Sequence, residues 1–219
     1  MILEIIFIII IIFVYINIYY IFKINKNNNL YLFEEELSRK NIQSEISLKL
    51  PFFFNGKHIN DNIDLKKLKI IEKNPSYKVY HKDYENITLL EPSFSFNASC
   101  KIYKIKPLKY LELQSYLQNY NFFIVKKGKC KITLIHPKYK DNFIKNNKLI
   151  SNKENIDFLK NNDHYKFLEC YKDTIIYIPN FWISFIENID EKNDLQIELL
   201  QYKTIFNEVL FLKEKLFNK

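Results

Sequence analysis

Two stretches decide the fold: Asn121-Phe122-Phe123-Ile124-Val125-Lys126-Lys127-Gly128-Lys129-Cys130-Lys131-Ile132-Thr133-Leu134-Ile135-His136-Pro137, and Asp173-Thr174-Ile175-Ile176-Tyr177-Ile178-Pro179-Asn180-Phe181-Trp182-Ile183-Ser184-Phe185. Each contains two short runs rich in Ile, Val, Tyr and Phe, separated by turn-forming residues, which is the pattern of paired β-strands. Only two glycines occur in the whole chain. One kept at position 128 between two strands points to a turn that needs positive φ.

Similar runs flank these stretches. Residues 48–54, 77–80, 101–105 and 195–200 also read as strands, with Pro51 suggesting an edge or a strand start. Residues 107–118 fit either a short helix or a strand. Residues 61–73 are charged with loose helical spacing, 141–163 read as a long Asn/Lys-rich insertion, and 205–217 carry apolar residues at helical spacing and predict a closing amphipathic helix. Many short strands with one late helix predict a mainly β domain, a sandwich or jelly roll.

In order and separation the two stretches resemble the cupin/JmjC-type double-stranded β-helix, and the nearest pattern is its asparaginyl-hydroxylase-like (factor-inhibiting-HIF-like) branch. The resemblance covers residues 100–203. It implies a double-stranded β-helix with flanking helices, and in the oxygenases of that family an Fe(II) held by a His-x-Asp pair and a distal His, with a lysine gripping 2-oxoglutarate. Laid on this chain, the ligand positions fall on Ser115, Leu117 and Ser184, and the lysine on Cys130. A leucine has no donor atom, and Lys129 and Lys131 would point to the opposite strand face from Cys130. The late Asn that some of these enzymes carry falls near Leu199. The expectation is a non-catalytic descendant with no cofactor and no metal site, in which Asn121, Phe123 and Trp182 line a remnant pocket. Two alternatives stand beside it. One is an active Fe(II)/2-oxoglutarate hydroxylase using displaced ligands, His81 and Asp83 with His136 or His164. The other is a virion membrane structural protein.

Before the β domain, residues 5–22 are almost wholly apolar, interrupted mainly by Asn17. A helix of this length matches a thin, ER-like hydrocarbon core. Tyr15, Tyr19 and Tyr20 gather toward its distal end, where amphipathic rings prefer the interface. A cleaved signal peptide would want a basic start and a small-residue cut site. Met1-Ile2-Leu3-Glu4 has no Lys or Arg, and Lys, Ile and Asn follow the run, so the segment reads as an anchor whose partner is membrane lipid. Lys23, Lys26, Arg39 and Lys40 all lie on its C-terminal side, which predicts a single-pass protein with its C-terminal domain in the cytosol. The organisation expected is an anchor over 1–22, a polar tether over 23–45 and a jelly-roll domain over 46–219.

Composition limits the functions further. Net charge is +8 and pI about 9.1, yet Lys is dispersed and no dense basic block or zinc motif occurs, so specific nucleic-acid binding is not expected. Abundant Ile, Asn, Lys, Tyr and Phe suggest AT-rich coding, as in a large DNA virus or certain protists. Asn86-Ile87-Thr88 and Asn97-Ala98-Ser99 match the glycosylation pattern, as chance allows in so Asn-rich a chain. The three cysteines, Cys100, Cys130 and Cys170, form no CxxC pair, which argues against a disulfide framework and for a reducing compartment. His58 has no partner at ligand spacing. No nucleophile elbow, P-loop or dinucleotide fingerprint occurs. What remains is a binding or structural module with an unknown protein partner.

Overall fold

In the computed structural model the described residues are 2–57, 64–83, 87, 89–92, 95, 97–145, 148–149 and 165–204. The expected closing helix over 205–217, His58, His164, Asn86 and most of the insertion over 141–163 lie outside them.

The first element, α1 (Ile2–Phe22), is apolar on every side and its side chains are almost all exposed, so no core accounts for its composition. Its 21 residues are long and apolar enough to cross a membrane. β1 (Tyr31–Leu32), α2 (Arg39–Ser47) and β2 (Phe52–Asn55) follow. Residues 23–45 are therefore not a free tether. β1 pairs in parallel with β2, and Ser38 caps α2, its hydroxyl accepting from the Asn41 N–H at 3.2 Å. Ile42 and Ile46, one helical turn apart, are buried with Phe33.

Next come β3 (Lys69–Lys73), β4 (Tyr77–Lys82), β5 (Asn97–Ile105), β6 (Tyr110–Ser115), β7 (Tyr120–Lys127) and β8 (Lys129–Ile135). After a 3₁₀ segment, Pro137–Phe143, lie the short β9 (Ile144–Lys145) and β10 (Lys148–Leu149), which pair with each other. Last are β11 (Tyr165–Tyr171), β12 (Thr174–Ile178), β13 (Ile183–Asn188) and β14 (Leu195–Lys203). The helical spacing expected over 61–73 yields only a 3₁₀ turn, Leu65–Lys67, and then β3, an edge strand with every side chain exposed.

Strand order fixes the architecture. One sheet runs β1-β2-β12-β7-β14-β5-β4-β3, the other β11-β8-β13-β6. From β5 onward the chain crosses between sheets at nearly every connection. The run β5, β6, β7, β8 goes out and the run β11, β12, β13, β14 comes back beside it. The resulting contacts pair β8 with β11, β7 with β12, β6 with β13 and β5 with β14. A two-stranded antiparallel ribbon wound into a helix is a double-stranded β-helix, the cupin-like jelly roll expected from the sequence.

β7 and β8 lie in opposite sheets, so Gly128 forms a corner between them. Its φ is +90°. A Cβ there would stand 3.2 Å from the Leu195 Cα and 3.3 Å from the Asp194 carbonyl oxygen. Both the turn and the close approach need glycine.

Three apolar layers hold the fold. Val125, Ile132, Ile176, Ile186, Ile197 and Leu199 are among those filling the space between the sheets. Phe33, Ile42, Phe52, Phe122, Tyr177 and Tyr202 cover the outer face of the larger sheet. Leu113, Ile135, Phe143, Ile183 and Phe185 cover the outer face of the smaller one.

Candidate functional site

The interior polar group of the barrel forms where β6 and β13 meet. Ser184 lies opposite Gln114 on β6 and Leu134 on β8. The Tyr116 hydroxyl donates to Gln114 Oε1 at 2.9 Å and lies 3.0 Å from Ser184 Oγ. The Tyr103 hydroxyl reaches the same Gln114 oxygen at 3.4 Å. Burial pushes the Tyr103 phenol up to about 12. It pushes the Tyr116 phenol well above its ordinary value, with Tyr103 adding to the effect. Both phenols are therefore neutral donors at physiological pH.

The group beside Ser184 is thus Gln114 and Tyr116, not Ser115 and Leu117. Ser115 lies opposite Ile183, whose side chain belongs to the outer layer, and its hydroxyl faces the Phe181 carbonyl at 3.5 Å. The reason is a register shift between Ser184 and Ile186, where β6 places an extra residue against β13. A one-residue slip moves every side chain to the other face of a strand.

These residues do not fit an Fe(II) centre. An amide, a neutral phenol and a hydroxyl already satisfy one another. Among the described residues no group of three His, Cys, Asp or Glu side chains converges. The displaced ligands are dispersed as well. His81 lies on β4 with Asp83 at 3.9 Å, both well exposed. His136 Nε2 instead faces the Asn25 carbonyl at 2.7 Å, and its ring packs edge-on against Trp182 at 5.0 Å.

The three residues expected to line a remnant pocket are packed into the core. Asn121 is fully buried, donates to the Gln118 and Ile178 carbonyls at 2.7 and 3.0 Å, and accepts from Gln201 at 2.8 Å. Phe123 meets the Tyr116 ring edge-on at 5.6 Å. Trp182 is 1% exposed. Cys130 and Leu199 also face the interior. Lys129 and Lys131 point outward, as strand alternation requires, over the rings of Tyr171 and Phe167.

A second constellation, not apparent in the sequence, lies at one end of the barrel, where α1 ends. Ile21 is buried and its carbonyl accepts from Asn180 Nδ2 at 2.7 Å. The Phe22 ring stacks on Phe181 with centroids 5.9 Å apart. Asn25 Nδ2 donates to the Leu48 carbonyl at 2.7 Å. Phe181 takes a φ of +67° and its N–H donates to the Tyr116 carbonyl at 2.7 Å. A bulky residue at positive φ is strained, and this one joins the anchor's seat to the interior polar group.

Lys49 sits at the centre of that seat. It follows α2 at φ +57°, a position where glycine or asparagine is usual. Its ammonium donates to Asn119 Oδ1 at 2.9 Å and Asn180 Oδ1 at 3.3 Å, and stands 4.7 Å from the centre of the Tyr20 ring. Burial lowers its pKa to about 7.

Two further features lie elsewhere. On the outer face of the larger sheet, buried Glu198 lies 3.1 Å from Lys126 Nζ and 3.3 Å from Lys82 Nζ, and accepts from the Cys100 thiol at 2.9 Å. Burial pushes its pKa up, but Lys126, Cys100 and Lys82 together hold it below the ordinary carboxylate range. At the barrel end away from the anchor, a surface cleft of about 270 Å³ is lined by Tyr77, Lys78, Lys104, Lys106, Pro107 and Asp194, with Lys104 and Asp194 ion-paired at 2.9 Å.

No protein-family model matches the chain, and no curated protein does. Among solved structures it is similar to the oxalate decarboxylase of Lactobacillus farciminis in a formate complex. That match has 15% identity and a TM-score of 0.40, over 65% of this chain and 32% of that one. It is likewise similar to Bacillus subtilis oxalate decarboxylase at pH 4.6, with 17% identity and a TM-score of 0.39, over 63% of this chain and 28% of that one. The chain spans about a third of the length of the proteins it matches. The strand order, not this likeness, carries the fold.

Proposed function

We propose that this chain is a membrane-anchored, non-catalytic module of cupin-like fold, descended from the asparaginyl-hydroxylase-like branch, that offers a binding or structural surface to a protein partner. The single observation that carries the reading is the closed hydrogen-bonded set of Tyr116, Gln114 and Ser184 where the resemblance calls for an iron. A phenol that satisfies an amide and a hydroxyl leaves no open coordination position for a substrate. The seated end of α1 supports the same reading, because Ile21 and Phe22 pack on Asn180 and Phe181 in the connection between β12 and β13, beside that set. The displaced-ligand alternative gains no support: His81 and Asp83 lie together at the exposed end of β4, while His136 is engaged elsewhere with the Asn25 carbonyl.

The test uses the full chain in detergent micelles, loaded anaerobically with Fe(II) and 2-oxoglutarate. The expected result is metal well below one equivalent after desalting and no succinate above the protein-free control. One tightly held equivalent of iron with 2-oxoglutarate turnover would overturn the reading.

We also propose that the domain faces the cytosol. Lys23, Lys26, Arg39 and Lys40 support this, since basic residues flanking a span favour the inner side. Asn97 begins β5 exposed and in an acceptor sequence, so it reports sidedness. A glycan on Asn97 in cells would reverse the assignment.

A further inference from the structure

Cys130 and Cys170 are far apart in sequence but lie directly opposite each other where β8 pairs with β11. Opposed residues in an antiparallel pair have Cα atoms about 4.5 or 5.5 Å apart, depending on whether they exchange hydrogen bonds. Both spacings fall within the roughly 4.4–6.8 Å that a disulfide spans. Opposed residues also point to the same sheet face. Here that is the interior, where both side chains are fully buried. The Cys170 thiol donates to the Leu168 carbonyl at 3.7 Å, and the neighbouring Cys130 thiol together with burial holds it above the usual thiol range. Cys100, the third cysteine, is separate. It lies on β5 and donates to Glu198.

We infer that Cys130 and Cys170 are a redox pair that closes into an intramolecular disulfide, stapling the edge strand β11 to β8. The co-reactant is a small-molecule disulfide. One thiolate of the pair attacks it, forming a mixed disulfide and releasing one thiol. The second thiolate then attacks the protein sulfur of that mixed disulfide, releasing the second thiol. The two cysteines lose two electrons and two protons in all, and the co-reactant gains them as two thiols. Among the described residues β11 has a strand partner on one side only, so opening of this edge is what admits the oxidant. Closed and buried, the pair is protected and its thiols are poor nucleophiles. The staple would also close the chain between β8 and β11, which removes entropy from the unfolded state.

The test uses the full chain carrying Cys100→Ser, in detergent micelles, equilibrated with oxidised glutathione both in the native state and during refolding. Peptide mapping under non-reducing conditions should find Cys130 linked to Cys170. The thermal midpoint should rise by about 5–10 °C, reversibly with dithiothreitol. A further Cys170→Ser or Cys130→Ala substitution should abolish the shift. The inference is overturned if protein refolded to native Trp182 fluorescence keeps both thiols free, or carries only glutathione adducts or links between chains. It does not depend on the absence of catalysis, because the two thiols take no part in the Tyr116 group.

Discussion

Replacing Lys49 with methionine tests the reasoning about the barrel mouth most directly. The wild-type ammonium titrates near 7 in the folded protein and at 10.5 when solvated, because burial disfavours its charge. Between those values the unfolded chain holds a proton that the folded chain lacks, so stability rises with pH across the window. Below pH 7 both states are protonated and the burial penalty stands in full, at about 5 kcal/mol. Between pH 7 and pH 9 the fold should gain about 2 kcal/mol as the penalty is relieved. Methionine has a similar length and no charge. It forfeits the bonds to Asn119 and Asn180, which leaves two buried carboxamide oxygens short of a donor at about 1–3 kcal/mol each. Its stability near pH 6 should therefore stay within a few kcal/mol of wild type, while the rise from pH 7 to 9 should vanish from the variant's share of the curve. The assay is urea unfolding in micelles, followed by the fluorescence of Trp182, the single tryptophan. Cys100, Cys170 and buried tyrosines such as Tyr116 and Tyr177, whose pKa values the fold raises, act with the opposite sign, but they are common to both proteins and drop out of the difference. Parallel curves for wild type and variant from pH 7 to 9 would refute the account of Lys49 as an amine whose charge burial disfavours.

Three other outcomes follow from the same structure. Glu198→Gln leaves Lys82 and Lys126 buried without their carboxylate and should cost about 3–5 kcal/mol in the same unfolding assay. Because the folded pKa of Glu198 is depressed, the wild-type contribution is present above the unfolded carboxylate range and disappears as pH falls through the folded value; the variant should lack this acid-side loss. Gly128→Ala sets a Cβ 3.2 Å from the Leu195 backbone at a φ of +90° and should destabilise by about 1–3 kcal/mol, seen as a lower thermal midpoint. Asn180→Ala removes the 2.7 Å bond to the Ile21 carbonyl and one partner of Lys49. In nanodiscs it should speed tryptic cleavage after Lys23 or Lys26 several-fold over wild type.

The strands were legible where burial alternates or a run is wholly buried. Thr174–Ile178 matches its expected limits, and β7, β8 and β14 extend theirs by only a few residues. β11 escaped notice because its burial follows no clean two-residue period, and β3 because all its side chains face water. α2 was hidden in a polar stretch, since only Ile42 and Ile46 mark its buried stripe. The strand expected over 182–186, which holds Ser184, is β13. That Gln114 rather than Ser115 lies opposite Ser184 follows from the irregular register between β6 and β13, which no sequence pattern announces. The facing of Cys130 and Cys170 and the seat of the anchor on Asn180 and Phe181 arise from contacts between distant segments, which local periodicity does not encode.

Under the proposed anchoring, that seat makes α1 a lever. A helix of 21 residues is about 31 Å long. About 28 Å of it lies before the seated Ile21 and Phe22, enough to span a hydrocarbon core of about 27 Å, while one of about 30 Å would draw the seat toward the interface. A domain on a slack cord would ignore that difference. Under the proposed anchoring, a barrel bolted to the helix end through Ile21, Phe22 and Asn25 moves with it, so bilayer thickness would set how the domain meets whatever approaches from the aqueous side.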